Sequence, residues 1–208
     1  YAANTLGMYM YSAVYHDVTY QGISQILSSP FMIGSMIAVP FICKKLGLEK
    51  LIRYSLLIGG ALGGALFGMH LVMDVHPLVH GVILGVGSGM AMVSIQMQWG
   101  LVGEAIDYNE LITGKRTEGS IYGTFNLSRR VGQTIGNSSA MLMLGLFGYD
   151  GTLAVQPDSV ILGVKVLCVL LPGIFILGSW AAFKFLWNMS PETRAKVAAF
   201  KASKKAQQ

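Results

Sequence analysis

Long stretches without any charged residue dominate this chain and restrict what it can fold into. Only 12% of the residues are charged and 53% are hydrophobic, whereas a soluble domain carries roughly 25% charged residues. A helix needs about 20 mainly apolar residues to cross a bilayer. Because backbone polar groups cannot stay unpaired in lipid, each stretch of about that length predicts a membrane-spanning helix.

The sequence contains six uncharged segments. Five are of crossing length, at residues 18–43, 54–73, 78–103, 131–149 and 166–183. The segment at residues 1–15 is uncharged but too short to cross, so we expect a truncated first helix. The sequence therefore predicts an all-α membrane protein: a six-transmembrane-helix bundle over residues 1–187, followed by a basic cytoplasmic tail over residues 188–208.

The positions of Lys and Arg predict the orientation of these segments. Bases concentrate in residues 44–53, in residues 104–120 and in the tail, whereas the connections at 74–77 and 149–159 contain none. Basic loops mark the cytoplasmic side, so we expect these three regions in the cytoplasm and the helices in the inner membrane. The net charge of +5 then reflects topology and does not indicate nucleic acid. We expect the tail to be solvated, with contact to anionic lipid as the alternative.

Glycines at four-residue spacing recur in two of the segments. Small residues four apart let helix backbones approach closely, and this predicts helix packing within the bundle. The positions are Gly59 and Gly63, then Gly60, Gly64 and Gly68, and in the following segment Gly81, Gly85 and Gly89.

A polar stripe runs along the fifth segment and the residues before it. At about 100° per residue, Tyr122, Asn126, Gln133 and Asn137 fall within roughly 60° of arc. Arg129 and Arg130 flank the centre of that arc. Polar groups in a membrane face other helices or water, and the two arginines favour a water-filled cavity for a polar solute. The alternative is a set of amides that join helices together.

Two other segments carry weaker polar faces. We include three of their side chains with the stripe as candidate substrate contacts: Asn4 and Tyr11 in the first segment, and Gln98 in the fourth.

No enzyme signature is present. The four histidines lack metal-site spacing such as HExxH, and no GxSxG or Walker A pattern occurs. No acid lies inside a span except Glu104 at its boundary, so we predict that the chain is not an enzyme and holds no cofactor.

The stretch GEAIDYNELITGKRTEGS, residues 103–120, gathers charges of both signs between uncharged segments. Glu104, Asp107 and Glu110 follow helical spacing, and Arg116 lies just beyond them. Basic residues alone would satisfy the orientation rule, so the acids indicate a cytoplasmic gate of ion pairs that close and open with the cavity. A simple solvated loop is the alternative.

The sequence GEAIDYNELITGKRTEGSIYGTFNLSRRVGQTIG resembles the connection between helices ten and eleven of the glycoside–pentoside–hexuronide:cation symporters, the melibiose-permease type of major facilitator. One position departs from the pattern, because Glu104 stands where Asp is usual. The matching residues are Gly103-Glu104, Asp107-Tyr108, Glu110, Gly114-Lys115-Arg116, Glu118, Ser120 and Tyr122.

The resemblance implies a fold and a function. The chain would be helices seven to twelve, the C-terminal half of a twelve-helix transporter for cation-coupled symport of a sugar or glycoside. Its partner would be an N-terminal six-helix half, in which the coupling H⁺ or Na⁺ is expected to bind. A lipid or drug carrier of the same fold, and a non-transporting membrane scaffold or sensor, are the alternatives.

The resemblance also implies residue roles. Glu104, Arg116 and a base near Arg53 would belong to the cytoplasmic charge network. Arg130 matches a basic residue that lines the sugar cavity, and Asn126, one turn earlier, would face it too. Helical angles leave open whether Arg129 or Arg130 faces the cavity; the resemblance favours Arg130.

Overall fold

A computed structural model of the chain describes the backbone of residues 2–153, 155–187 and 189–206, and the side chains of these residues except 2–5, 191, 205 and 206. Every regular element in the described part is helical. The elements are α1 (Ala2–Ala13), α2 (Thr19–Leu46), α3 (Leu48–Val72), α4 (Pro77–Thr113), α5 (Glu118–Leu146), α6 (Asp158–Lys165), a π-helical turn (Val166–Leu170), α7 (Leu171–Leu186) and α8 (Pro191–Ala206).

Four of these helical stretches are both long and apolar enough to cross a membrane: α2, α3, α4 and the continuous stretch Asp158–Leu186. The all-α prediction is confirmed. Helix α1 has 12 described residues. Helix α5 has 29 residues, but its polar stripe makes it less apolar than the other four. The full count of six crossings therefore stays a prediction.

The helices extend further than the uncharged segments predicted. Helix α4 continues past Gly103 to Thr113, and α5 begins at Glu118, well before residue 131. Charged residues end an uncharged segment, but the extensions contain Glu and Arg, which are good helix formers, so the helices continue past these segments. Gly114 ends α4 in a left-handed conformation (φ 67°), and its N–H donates to the carbonyl of Glu110.

Helix α4 packs tightly on α2 through its glycines. A Cβ atom placed on Gly85 would lie 2.1 Å from Ser28 Oγ, and one on Gly81 would lie 2.2 Å from Ser24 Oγ. Ser28 Oγ also donates a hydrogen bond of 3.0 Å to the carbonyl of Gly81. This contact confirms that the glycines of α4 serve packing inside the molecule.

The glycines of α3 divide between two neighbours. A Cβ on Gly59 would lie 3.0 Å from the carbonyl oxygen of Gly87 in α4. Gly60 and Gly63 instead meet α7, where a Cβ on Gly63 would lie 3.1 Å from Gly173 Cα. Within the described part of the chain, Gly60, Gly64 and Gly68 do not form the single contact that was predicted, because a Cβ at Gly64 or Gly68 would meet no atom of another element within 4 Å.

The main apolar core lies at the end of the bundle opposite to the bases. It joins α1, α3, α5 and the last crossing, and among its members are Leu6, Met10, Leu66, Leu144 and Leu167. Helix α5 enters this core only near its C-terminus, through Ala140 and Leu144. Most of α5 therefore lies against the bundle more loosely than α2, α3 and α4 lie against one another.

We predict that Gly85→Ala destabilises the protein. The added Cβ would clash with both Oγ and Cβ of Ser28, at 2.1 and 2.3 Å, and rotation of the serine cannot remove the second clash. Overpacking of this kind costs about 1–3 kcal/mol, so thermal unfolding in detergent should begin several degrees lower.

Gly103→Ala is the matched control on the same helix, since a Cβ there would meet no described atom of another element within 4 Å. Equal melting temperatures for the two variants would contradict the close contact of α2 with α4.

Candidate functional site

The polar stripe of α5 faces the interior side of the bundle. Tyr122, Asn126, Gln133 and Asn137 are all partly buried. At 100° per residue they share an arc with Ala140 and Leu144, the two buried residues of the helix. The stripe therefore lies on the same face of α5 that anchors the helix to its neighbours, and it extends that face towards the basic end.

The amides of the stripe form no hydrogen bond to another helix within the described part of the chain. Asn126 Nδ2 donates to the carbonyl of Tyr122 in its own helix at 3.0 Å. Asn137 Oδ1 is buried and has no partner there. The stripe thus keeps hydrogen-bonding capacity that packing between these helices does not use.

An aromatic and cationic group connects the stripe to α4. Trp99, which is 42% exposed, has its ring centroid 5.3 Å from that of Phe125 and 6.2 Å from that of Tyr122. The guanidinium carbon of Arg129 lies 5.8 Å from the Trp99 centroid, within the range of a cation–π attraction. Gln98, beside Trp99, is partly buried.

The two arginines have different surroundings. Arg129 is partly buried on the side of α4, and its Nε is buried with no partner in the described part of the chain. Arg130 is exposed, at the edge of the stripe. Sequence reasoning named Arg130 as a candidate but assigned no contact to Arg129. Phe125 and Tyr122 precede Arg129 by four and seven residues, which places the three side chains on one face of the helix. This spacing could have been read from the sequence.

The first segment does not bring Tyr11 to this stripe. Tyr11 is only 4% exposed and packs edge-on against the ring of His80, with centroids 5.8 Å apart. It therefore lies in the interior at the opposite end of the bundle. The side chain of Asn4 lies outside the described residues.

The basic end of the bundle carries a first charge cluster around Glu110. This carboxylate is 4% exposed and accepts a hydrogen bond from Arg116 Nη1 at 3.0 Å and another from Lys204 Nζ. Asp107 accepts from Lys201 Nζ at 2.7 Å and lies 3.7 Å from Arg116 Nη1. The carboxylates of Glu118 and Glu110 raise the pKa of the Arg116 guanidinium above its ordinary value, so this cation keeps its charge.

A second charge cluster lies beside the first. Glu104 accepts from Arg194 Nη2 at 3.2 Å, Arg194 Nη1 reaches Glu49 at 3.5 Å, and Glu49 pairs with Arg53 at 2.5 Å. The four predicted gate residues therefore divide between the two clusters. Arg116 pairs with Asp107 in the first cluster. In the second cluster, Glu104 and Arg53 are linked through Arg194 and Glu49.

The basic tail is part of both clusters, which differs from the solvated terminus that we expected. It forms helix α8, which buries Val197 and presents Arg194, Lys201 and Lys204 to the acids of α3 and α4. These three bases lie within about 80° of arc on a helix. Their spacing is a signal that sequence reasoning missed.

Comparisons with known proteins identify what the chain is similar to. It matches the family described as MFS/sugar transport protein over residues 2–187. A glucuronide carrier protein homolog of Escherichia coli strain K12 is 32% identical over 156 residues, 74% of this chain and 32% of that protein. An uncharacterized symporter of Bacillus subtilis strain 168 is 30% identical over 158 residues, 70% of this chain and 32% of that protein.

A putative sulfoquinovose importer of Salmonella typhimurium is 35% identical over 92 residues, 44% of this chain and 19% of that protein. The alignments with the first two relatives cover about a third of each relative's length. No solved structure matches the chain significantly.

We predict that Glu110→Gln loosens α8 from the bundle. The neutral amide loses the charge-assisted hydrogen bonds with Arg116 and Lys204. Hydrogen–deuterium exchange of the purified membrane protein should then show faster exchange in residues 191–206. Glu118→Gln is the control, because Glu118 pairs with Arg116 only. Equal protection of α8 in the wild type and in Glu110→Gln would show that these ion pairs do not hold it.

Proposed function

The chain belongs to the MFS/sugar transport protein family, and from that premise we propose that it is part of a secondary transporter for a sugar or glycoside. The family model and the relatives named as carriers and symporters confirm that it is not an enzyme and that it is a multi-pass membrane protein. The proposed transport is symport with a cation across the inner membrane.

The observation that carries this proposal is the α5 stripe. Amides on a membrane helix are expensive unless they find partners, and those of α5 leave hydrogen-bonding groups unused against α1 and α4. Sugar hydroxyls are both donors and acceptors, so Asn126, Gln133 and Asn137 suit them. Trp99 and Tyr122 add aromatic surfaces for the apolar face of a sugar ring.

The described chain supplies one wall of the cavity and does not enclose it. Two depressions in the described surface have volumes of about 240 and 160 Å³. The first is lined by Leu78, Val79, Val82 and Ile83, and the second by Met143, Leu146 and Phe147. Neither includes a residue of the stripe. In the proposed architecture, the chain is helices seven to twelve, and an N-terminal six-helix half closes the cavity. This fits its alignment with about a third of the length of each relative.

The coupling cation is proposed to bind in that other half. None of the ten acids of this chain lies inside an uncharged segment, and five at the basic end are ion-paired: Glu49, Glu104, Asp107, Glu110 and Glu118. No carboxylate in the sequence stands at mid-membrane, where transporters of this type bind substrate and ion.

The arginines of α5 favour a solute that carries an acidic group. Arg129 and Arg130 form no ion pair with any described residue, and a cation near the membrane interior needs a counter-charge. A carboxylate or sulfonate on the sugar is one source, and an acid of the other half is a second. The names of two relatives refer to a glucuronide and to sulfoquinovose, both of which are acidic sugars.

The two charge clusters are proposed to form the cytoplasmic gate. Alternating access rocks one half of a transporter against the other around the central site. Glu104, Asp107, Arg116 and Arg53 sit at the helix ends that such a motion displaces, and α8 ties those ends together. Residues 44–53, 104–120 and the tail would then be cytoplasmic.

We predict that the stripe is accessible to water in the intact transporter. Cysteines at Asn126, Gln133 and Asn137, in a background with Cys43 and Cys168 replaced by Ala, should react with a membrane-impermeant maleimide, and substrate should slow the reaction. Leu127→Cys is the control, because Leu127 is 65% exposed on a different side of α5 and should face lipid.

Absence of labelling at all three stripe positions would favour buried amides in a membrane scaffold or sensor. Labelling that is slowed by a lipid or a drug, but not by a sugar, would favour a lipid or drug carrier of the same fold.

We predict that Arg130→Ala weakens substrate binding in the intact transporter about 10- to 100-fold, because a hydrogen bond to a charged group contributes about 1.5–3 kcal/mol. Isothermal titration with an acidic sugar measures the change. Arg129→Ala is the comparison. The guanidinium of Arg129 packs on Trp99, so we expect this variant to lower the melting temperature of the protein in addition to its effect on substrate binding. An unchanged Kd for Arg130→Ala would remove Arg130 from the binding surface.

A further inference from the structure

Arg129 is a cation near the middle of α5, and no described residue balances its charge. The helix begins at Glu118 and ends at Leu146, so Arg129 stands about 16 Å along the helix axis at 1.5 Å per residue. Within the described part of the chain, no carboxylate forms an ion pair with it. A cation at this depth in a membrane helix needs a partner.

Aromatic rings on two helices hold the guanidinium of Arg129 in place. Its central carbon lies 5.8 Å from the ring centroid of Trp99 in α4. Phe125, one turn before Arg129, packs edge-on against the same ring, with centroids 5.3 Å apart. An aromatic ring attracts a cation that lies against it. Trp99 therefore restricts the positions that the long side chain of Arg129 can adopt.

The contact with Trp99 leaves the N–H groups of the guanidinium available. These donors lie in the plane of the group, whereas stacking on a ring uses its face. Arg129 Nε is buried and forms no hydrogen bond in the described part of the chain. A buried donor without an acceptor is costly. Nε and one Nη together form the fork that a carboxylate or sulfonate fills with two parallel hydrogen bonds.

We propose that Arg129 binds an acidic group of the substrate, a carboxylate or a sulfonate, and that Trp99 is the positioning residue that presents Arg129 to it. This inference rests on the proposed transport of a sugar or glycoside, and it specifies an anionic sugar as the substrate class. Arg130 is exposed on the other side of the stripe. Its role in this arrangement is to bind hydroxyls, which neutral and acidic sugars share.

The neighbours of Arg129 on α5 suit the rest of such a substrate. Asn126 lies three residues before it and Gln133 four residues after it, so both amides are adjacent to it on the helix surface. Trp99 is 42% exposed, so the ring that holds Arg129 is also open to a ligand. An acidic group bound at Arg129 would thus bring the hydroxyls of its sugar ring within reach of the amides.

A carboxylate of the other half of the transporter is the second source of counter-charge for Arg129. A fixed ion pair with such a carboxylate would occupy the same N–H donors. An acidic sugar would then gain nothing over a neutral one at this position. The two sources therefore predict different selectivity between acidic and neutral sugars, and this selectivity is the quantity to measure.

The first test measures the binding of two matched pairs of sugars to the intact transporter by isothermal titration. Methyl glucuronide is compared with methyl glucoside, and sulfoquinovose with glucose; within each pair only the acidic group on C6 differs. We expect the wild type to prefer the acidic sugar about 10-fold or more, because hydrogen bonds between charged groups are the strong ones. Arg129→Lys keeps the charge but loses the fork, and should remove most of this preference.

The Kd of Arg129→Lys for the neutral sugars should stay within about twofold of the wild type, because Arg130 and the amides remain. Equal affinity of the wild type for both members of each pair would overturn the proposal. A preference that Arg129→Lys leaves unchanged would do the same. In both cases sugar binding is measured, so the proposed function stands.

Trp99→Leu tests the positioning role. Arg129 keeps its charge in this variant but loses its aromatic contact, so the preference for acidic sugars should fall about 3- to 30-fold. Trp99→Phe keeps an aromatic face and should retain most of the preference, and Trp99→Met replaces Trp99→Leu if that variant does not fold. Trp180→Leu is the matched control, since it removes a cation–π contact of 4.9 Å with Lys184 in α7. An unchanged preference in Trp99→Leu, or an equal fall in Trp180→Leu, would overturn the role of Trp99.

A second readout follows Arg129 directly and separates this proposal from the proposed function. In protein with ¹⁵N-labelled arginine, the Nε signal that is missing in Arg129→Lys identifies Arg129. It should shift saturably when methyl glucuronide or methanesulfonate is added. No shift with either anion would overturn the proposal, even in a protein that transports neutral sugars. A saturable shift in a protein that transports no sugar would keep the anion site and remove the sugar assignment.

Discussion

The close contact of α4 with its neighbours, which glycine alone permits, is the interaction on which the rest of the structure depends. Between membrane helices the hydrophobic effect contributes little, because lipid tails are as apolar as the side chains. Attraction then comes from many short contacts and from hydrogen bonds such as that of Ser28 to Gly81. With α2 on one side and α3 on the other, α4 forms a rigid layer that is extended by α7 through Gly63 and Gly173.

The looser attachment of α1 and α5 follows from the same physics. The glycines of α5, unlike those of α3 and α4 that meet a neighbouring helix, have no described atom of another element within 4 Å of a placed Cβ. The helix is anchored mainly by Ala140 and Leu144 near one end. At the other end it contacts α4 through the aromatic group around Trp99. A helix anchored at one end and polar along one face is suited to line a cavity whose shape changes.

The basic end of the bundle depends on ion pairs rather than on glycine contacts. Cations at this end agree with the proposed cytoplasmic orientation, and the acids at the end of α4 bind several of them. Glu110 is nearly fully buried, and a carboxylate in that environment needs charged partners. The bases of α8 supply them together with Arg116, so the end of α4, the connection to α5 and the terminal helix are held as one unit.

The sequence by itself determined the membrane-crossing character of the chain, the basic side and the polar face of α5, because these depend on composition and on a period of 3.6 residues, both of which are local. It also predicted that glycines would mediate packing and that acids near residue 110 would form ion pairs. Only the tertiary structure decided which glycine meets which helix, that Arg129 rather than Arg130 lies on Trp99, and that Arg194 joins Glu104 to Glu49. Each of these is a contact between residues far apart in the sequence, and their partners depend on how the helices rotate and cross, which no local pattern specifies.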